Sequence, residues 1–226
     1  MKVKFGAIVV DGRNKIGGHV MSKNRAGAYM RTKVTPVNPR SVAQSDSRNR
    51  LSSISSAWEN LSIPSLLAWN SAVSSWSKTD IFGDIKHPSG FNLFQKLNNN
   101  ILRCGGTLLD VPPAKVELSY LGVLAIGAVT ISAIPLTFTL QALGTNEKLE
   151  VSATPAVPPC KSFVKSEYRI IGHSLTLTAG STDCGSLYIT KFGATGSGFN
   201  DFFVSARIVN IVTGQAGIPV SARFSS

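Results

Sequence analysis

The period of the apolar positions changes twice along this chain. Over residues 1–40, short apolar runs alternate with glycine pairs and basic residues. "KFGAIVVDGRNKIGGHVMSKN" predicts a hairpin, with 5–10 as one strand, Asp11 and Gly12 as the turn, and 16–21 returning. "GAYMRTKV" reads as a third extended piece. A ribbon of this size has little core of its own and gains order against something else. Over 41–105 the spacing becomes helical. Leu51, Ile54, Trp58 and Leu61 fall on one face, and Leu66, Trp69, Val73 and Trp76 repeat that spacing after Ser62 and Pro64. A loop with Gly83, Pro88 and Gly90 leads to Phe91, Phe94, Leu97 and Ile101, and Gly105 with Gly106 stops this third helix. The large aromatics read as the core of this small module, ahead of a platform for stacking bases.

Beyond Pro112 and Pro113 the pattern alternates between turn residues. Candidate strands are 116–120, 128–134, 136–143, 148–154, 167–172, 174–179, 186–192, 202–210 and 218–224. Strands at this spacing predict a β-sandwich. The expected fold is α+β and multidomain: a basic N-terminal ribbon arm at 1–40, a three-helix module at 41–106 and an antiparallel sandwich at 111–226. The apolar stretch 121–140 contains Pro135 and alternates from Leu136 on, so it reads as core strands and not as a membrane span. The opening "MKVKFGAIVVDGR" has too short an apolar run for a signal peptide.

Charge sharpens this division. The net charge is +11, and residues 1–50 hold 11 basic against 2 acidic side chains. No acid lies between Asp11 and Asp46, whereas Arg13, Lys15, Lys23, Arg25, Arg31, Lys33 and Arg40 all do. With Tyr29 they are the candidate interaction residues. Basic side chains on a ribbon suit phosphates, with salt-sensitive binding. Basic strands also suit edge-to-edge pairing with neighbouring subunits. The residues alone leave both readings open.

Catalytic chemistry finds no support. His19, His87 and His173 lie in three different segments without metal-ligand spacing, and no GxSxG elbow is present. "GATGSGFN" at 193–200 lacks the Lys-Ser/Thr of a phosphate loop and reads as a flexible loop. No enzyme activity, metal or cofactor is expected. Cys104, Cys160 and Cys184 are expected to be free thiols, with a Cys160–Cys184 bridge the one alternative. A glycan-binding sandwich has only the scattered Tyr120, Tyr168 and Tyr188 behind it.

Several short motifs carry a resemblance. Gly27 and Tyr29 precede "MRTKVTP"; Asn38-Pro39-Arg40, Ala43-Gln44, Trp58, Leu61, Trp69-Asn70 and "SGFNLFQKLN" follow in order. Together, over about residues 16–102, they resemble an N-terminal module of structural proteins of tailed bacteriophages and prophages of Bacteroidetes hosts, crAss-like phages included. The last two candidate strands resemble those of the immunoglobulin or fibronectin-III-like domains attached to such proteins, although Phe202 stands where these folds often place a tyrosine. The resemblance implies a non-enzymatic virion component made in the host cytoplasm. Its implied partners are copies of itself in a symmetric homo-oligomer and portal, neck, tail or capsid proteins, with contact to DNA and no membrane. A neck or tail ring is the favoured position. A capsid decoration or head-fibre-type protein, or a nucleic-acid-binding protein using the basic arm, is the alternative.

Overall fold

The computed structural model describes the whole chain except residues 7–10, 128–133, 141–143, 159–160, 176–180, 194–200 and 226. The chain is mixed α and β with antiparallel sheets. It opens with β1 (Asn14–Ile16), β2 (His19–Asn24) and β3 (Gly27–Thr32), then α1 (Val42–Glu59) and α2 (Ile63–Ala72). A 3-10 turn (Val73–Trp76), β4 (Lys78–Thr79), β5 (Ile85–Lys86) and α3 (Gly90–Arg103) come next. The C-terminal half holds β6 (Leu121–Ile126), β7 (Pro135–Leu140), β8 (Glu147–Ala153), β9 (Arg169–Leu175), β10 (Ser181–Asp183), α4 (Gly185–Phe192), β11 (Phe202–Asn210) and β12 (Val220–Phe224).

Two compact units form: Met1–Arg48 with Ser77–Lys86, and Asn49–Trp76 with His87–Ser226. The second therefore takes in both the helices and the C-terminal sheets. In its helical part, Ser62 caps α2 with Pro64 in the first turn, and Ser89 caps α3 by accepting from the Asn92 N–H. Ile54, Trp69, Phe94, Leu97 and Ile101 are buried as their spacing requires. Phe94 lies 5.2 Å from both Trp58 and Trp69, so the aromatics are core. Trp69 donates its indole N–H to the Asp110 carbonyl. The second-helix pattern spans a change of winding, because α2 ends at Ala72 and Val73 and Trp76 complete the face from the 3-10 turn.

The C-terminal strands form a sheet ordered β10-β7-β6 and another ordered β12-β11-β8-β9. Leu121, Leu124, Leu136, Leu149, Val151, Tyr188, Phe202, Val204 and Ile208 share one core. Register explains the alternation: Val204 faces Ala153, Ala206 faces Val151 and Ile208 faces Leu149, all turned inward. The helix α3 is tied to this part. Asn100 donates to the Gly214 carbonyl at 2.8 Å, and a Cβ on Gly214 (φ +70°) would lie 2.3 Å from the Leu97 carbonyl oxygen.

Several expectations need correction. The segment 186–192 is helix, not strand. Cys184, Tyr188 and Phe192 recur every four residues, and this helical spacing places Tyr188 in the core against Phe202. The segment 116–120 forms no strand, because side chains satisfy its backbone: Gln215 bonds both the N–H and the carbonyl of Val116, and Glu147 accepts from the Ser119 N–H. The first hairpin turns at Gly17 and Gly18, not at Asp11 and Gly12; Gly17 adopts φ +55°, which suits a two-residue turn. Phe5 and Gly6 are not in a strand, and the remainder of that expected strand, 7–10, lies outside the described residues. So do most of 128–134, the end of 174–179, residues 194–200 of the glycine-rich loop, and Cys160. Cys184 is a buried free thiol.

Candidate interaction surface

The basic ribbon is a three-stranded meander, β1-β2-β3. Met1–Val3 adds a further extended piece on its far edge. Met1 and Met30 exchange backbone hydrogen bonds, and the Val3 N–H donates to the Ala28 carbonyl. The β4–β5 hairpin belongs to the same unit through its acids. Lys2 pairs with Asp80 at 3.2 Å, Lys4 pairs with Asp84 at 3.2 Å, and the Lys4 ammonium lies over the Phe82 ring. Burial pushes the Asp80 carboxyl up. Bonds from the Phe82 N–H, the Lys2 ammonium and the Asp84 N–H outweigh that and hold it below the usual carboxylate range.

The structure places each candidate residue. Lys15 of β1 faces Val20 of β2, which faces Arg31 of β3, so Lys15 and Arg31 flank Val20 on one face. Ser22 faces Tyr29 in the next row of that face, and Lys2 bridges to Tyr29 from the edge. Lys23 faces Ala28, and Arg25 sits at the β2–β3 turn. Arg13 pairs with Asp11 at 3.1 Å. Arg13, Asn14, Ser22, Lys23, Asn24 and Arg31, with Val20 and Met21, line one concavity of about 440 Å³. Lys15, Arg25, Lys33 and Arg40 are not part of that lining. Among the described residues no carboxylate forms an ion pair with Lys15, Lys23, Arg25, Arg31, Lys33 or Arg40.

After β3 the chain changes character. Residues 33–41 have no regular structure and are exposed throughout, including Val34 at 67% and Val37 at 85%. Pro36 and Pro39 remove two N–H donors and bias Thr35 and Asn38 toward extended conformations, which prevents both helix and ladder. Arg40 adopts φ +50° immediately before α1, and the Asn38 side chain accepts from the Arg40 N–H and the Arg48 guanidinium.

A second cluster lies on the outer face of the four-stranded sheet. Glu150 of β8 stands opposite His173 of β9 and Arg207 of β11. Its carboxylate accepts from Arg207 at 2.7 Å and forms an ion pair with Arg103 at 3.0 Å, and His173 Nδ1 lies 3.6 Å away. Burial raises this carboxyl, but His173, Arg207 and Arg103 together bring it to about 2. A carboxylate so firmly ionised and enclosed is a structural anion, not a proton carrier. Burial likewise pushes the Cys184 thiol and the Tyr188 hydroxyl up to about 12 each, so neither is an activated nucleophile. His19 sits at the start of β2 and His87 between β5 and α3, away from this cluster in sequence and element. Among the described residues no three His, Cys, Asp or Glu side chains are grouped so as to hold a metal ion. No described helix is long and apolar enough to cross a membrane.

Sequence reading missed the part played by 77–86. Its signal was the Asp80…Gly83-Asp84 turn, where Asp80 Oδ1 accepts from the N–H groups of Phe82 and Asp84. Comparison with protein-family profiles and with curated proteins found no match for this chain.

Proposed function

We propose that this chain is a non-enzymatic structural subunit of a tailed-phage virion, a component of a neck or tail ring. In this reading it assembles through the segment 33–41 of its basic N-terminal arm. The observation that carries the proposal is that extended segment itself. Val34 before Pro36, Val37 between Pro36 and Pro39, and Val42 at the start of α1 are all exposed, an apolar strip along an extended segment. A neighbouring subunit that covered it would bury apolar surface at about 25 cal/mol per Å². Rotation of such head-to-tail contacts closes a ring. The motif order from Gly27 to "SGFNLFQKLN" supports the virion assignment by resemblance.

The C-terminal sheets are proposed to be an immunoglobulin or fibronectin-III-like sandwich serving as the outward module. Their shared core and the antiparallel β11–β12 pair favour it. The short helix α4 and the hydroxyl-free Phe202 depart from that pattern.

A density map of the intact particle tests the proposal. The chain is expected in a closed ring at the head–tail junction, with 33–41 lying on the next subunit. Purified particles that lack the chain overturn the virion assignment, and a ring in which 33–41 faces solvent overturns the assembly role.

A further inference from the structure

We propose that the concavity on the ribbon is a sequence-independent binding site for the phosphates of duplex DNA. Arg13, Lys23 and Arg31 line it together with Asn14, Asn24 and Ser22, the cations reaching it from both faces of the ribbon's pleat, and no carboxylate is in its lining. Every lining residue except Val20 and Met21 carries a side-chain hydrogen-bond donor, and a guanidinium has the planar fork that fits phosphate oxygens.

The unit has little of its own with which to neutralise these charges. It holds twelve Lys and Arg against four Asp. Asp80 is taken by Lys2, and Asp84 by Lys4 and Lys86. Asp11 meets Arg13 at an exposed pair, which a phosphate can outcompete. Lys15 and Arg31, flanking Val20 across two strand spacings, stand about 10 Å apart and widen the positive face beyond the concavity.

The composition of the site separates DNA from an acidic protein partner. Protein interfaces are built around a desolvated apolar centre with a polar rim, whereas DNA interfaces are polar and strongly positive throughout. Val20 and Met21 are the apolar lining here, and both are only half-buried strand residues. The apolar strip suited to a subunit lies elsewhere, at 33–42. Among the described residues no helix lines this concavity and no metal-binding cluster stands there, so its contacts position a backbone and do not read sequence. This inference does not depend on the virion reading: the binding measurement below gives the same answer for a monomer or a ring.

The test is fluorescence anisotropy of the full chain with a roughly 20-bp duplex of mixed sequence, between about 50 and 200 mM salt. Three neutralised phosphates give a log–log slope of about −2.7, or roughly a 40-fold loss of affinity across that range. The variant R13Q/K23Q/R31Q is expected to flatten the slope by about that amount. The variant K115Q/K165Q/K191Q removes the same formal charge from exposed positions of the other unit and is expected to leave the slope unchanged. Thermal unfolding of both variants checks that they fold, and R13K/R31K, which keeps the charge, should retain the slope. No binding at low salt, equal losses in the two triple variants, or displacement by polyglutamate at charge parity with competing duplex would each overturn the proposal.

Discussion

The first unit carries twelve basic and four acidic side chains and, among its described residues, buries no apolar residue and only the Asp80 carboxylate of its charged groups. The second carries eleven and eight and holds both hydrophobic cores. There Arg103, Arg207, Arg223 and Lys161 all meet carboxylates, from Glu150, Asp201 and Glu167. In the second unit most of these pairs close the fold; in the first, beyond the Lys2 and Lys4 pairs that tie in the β4–β5 hairpin, most of the positive charge stays at the surface. The lesson is that most of the excess positive charge, +8 of +11, lies in the unit with the smaller share of buried residues.

The contrast can be broken by substitution. Trp69→Ala should have the largest effect, about 3–5 kcal/mol of lost stability, because it empties a buried site against Phe94 and removes the bond to Asp110. Denaturant unfolding monitored by circular dichroism measures it. Glu150→Gln comes next, at about 3 kcal/mol, since Arg103 and Arg207 lose the enclosed anion they share. The same group sets an acid sensitivity. Its folded-state pKa is depressed, so the unfolded chain takes up the proton first. The stability it supplies is present above about 4.5 and is lost as pH falls toward about 2. A pH series of unfolding curves should show that loss in the wild type and a shallower one in E150Q.

Gly214→Ala should cost about 1–3 kcal/mol, as the left-handed backbone and the Leu97 carbonyl both oppose a Cβ. Lys15→Gln and Arg31→Gln should lie within about 0.5 kcal/mol of wild type, because they remove exposed charges with no carboxylate partner. If the ribbon substitutions destabilise as much as Glu150→Gln, the division between structural and free charge fails.

Much of this arrangement is legible in the sequence where one local rule decides. The start at Ser62 and Pro64, the Phe94, Leu97 and Ile101 face and the 202–210 alternation match α2, α3 and β11, whereas Leu51 of the first predicted face is exposed and the Ser89 cap is not among the expected features. The failures are instructive in the same terms. "SLYIT" has strand-forming residues, yet the four-residue recurrence of Cys184, Tyr188 and Phe192 wins because burying Tyr188, with Phe192 packed against the same core, outweighs propensity. The expected turn of the first hairpin is at Asp11 and Gly12, but strand pairing turns it at Gly17 and Gly18, the other glycine-containing pair in the segment. Of the candidate interaction residues, Arg13, Lys23 and Arg31 border one concavity. Nothing in their linear spacing announces that, since β2 and β3 bring together residues eight or more apart in sequence. The partners of Lys2 and Lys4 lie further off still, at Asp80 and Asp84.

That last separation has a consequence for synthesis. The first unit is discontinuous: Met1–Arg48 must wait for Ser77–Lys86. At roughly 5–20 residues per second the ribosome needs a few seconds to supply the missing hairpin. During that interval the ribbon emerges with Lys2 and Lys4 still lacking Asp80 and Asp84, while α1 and α2 are already being made. Completion of the basic unit is thereby timed by translation of the helices that interrupt it.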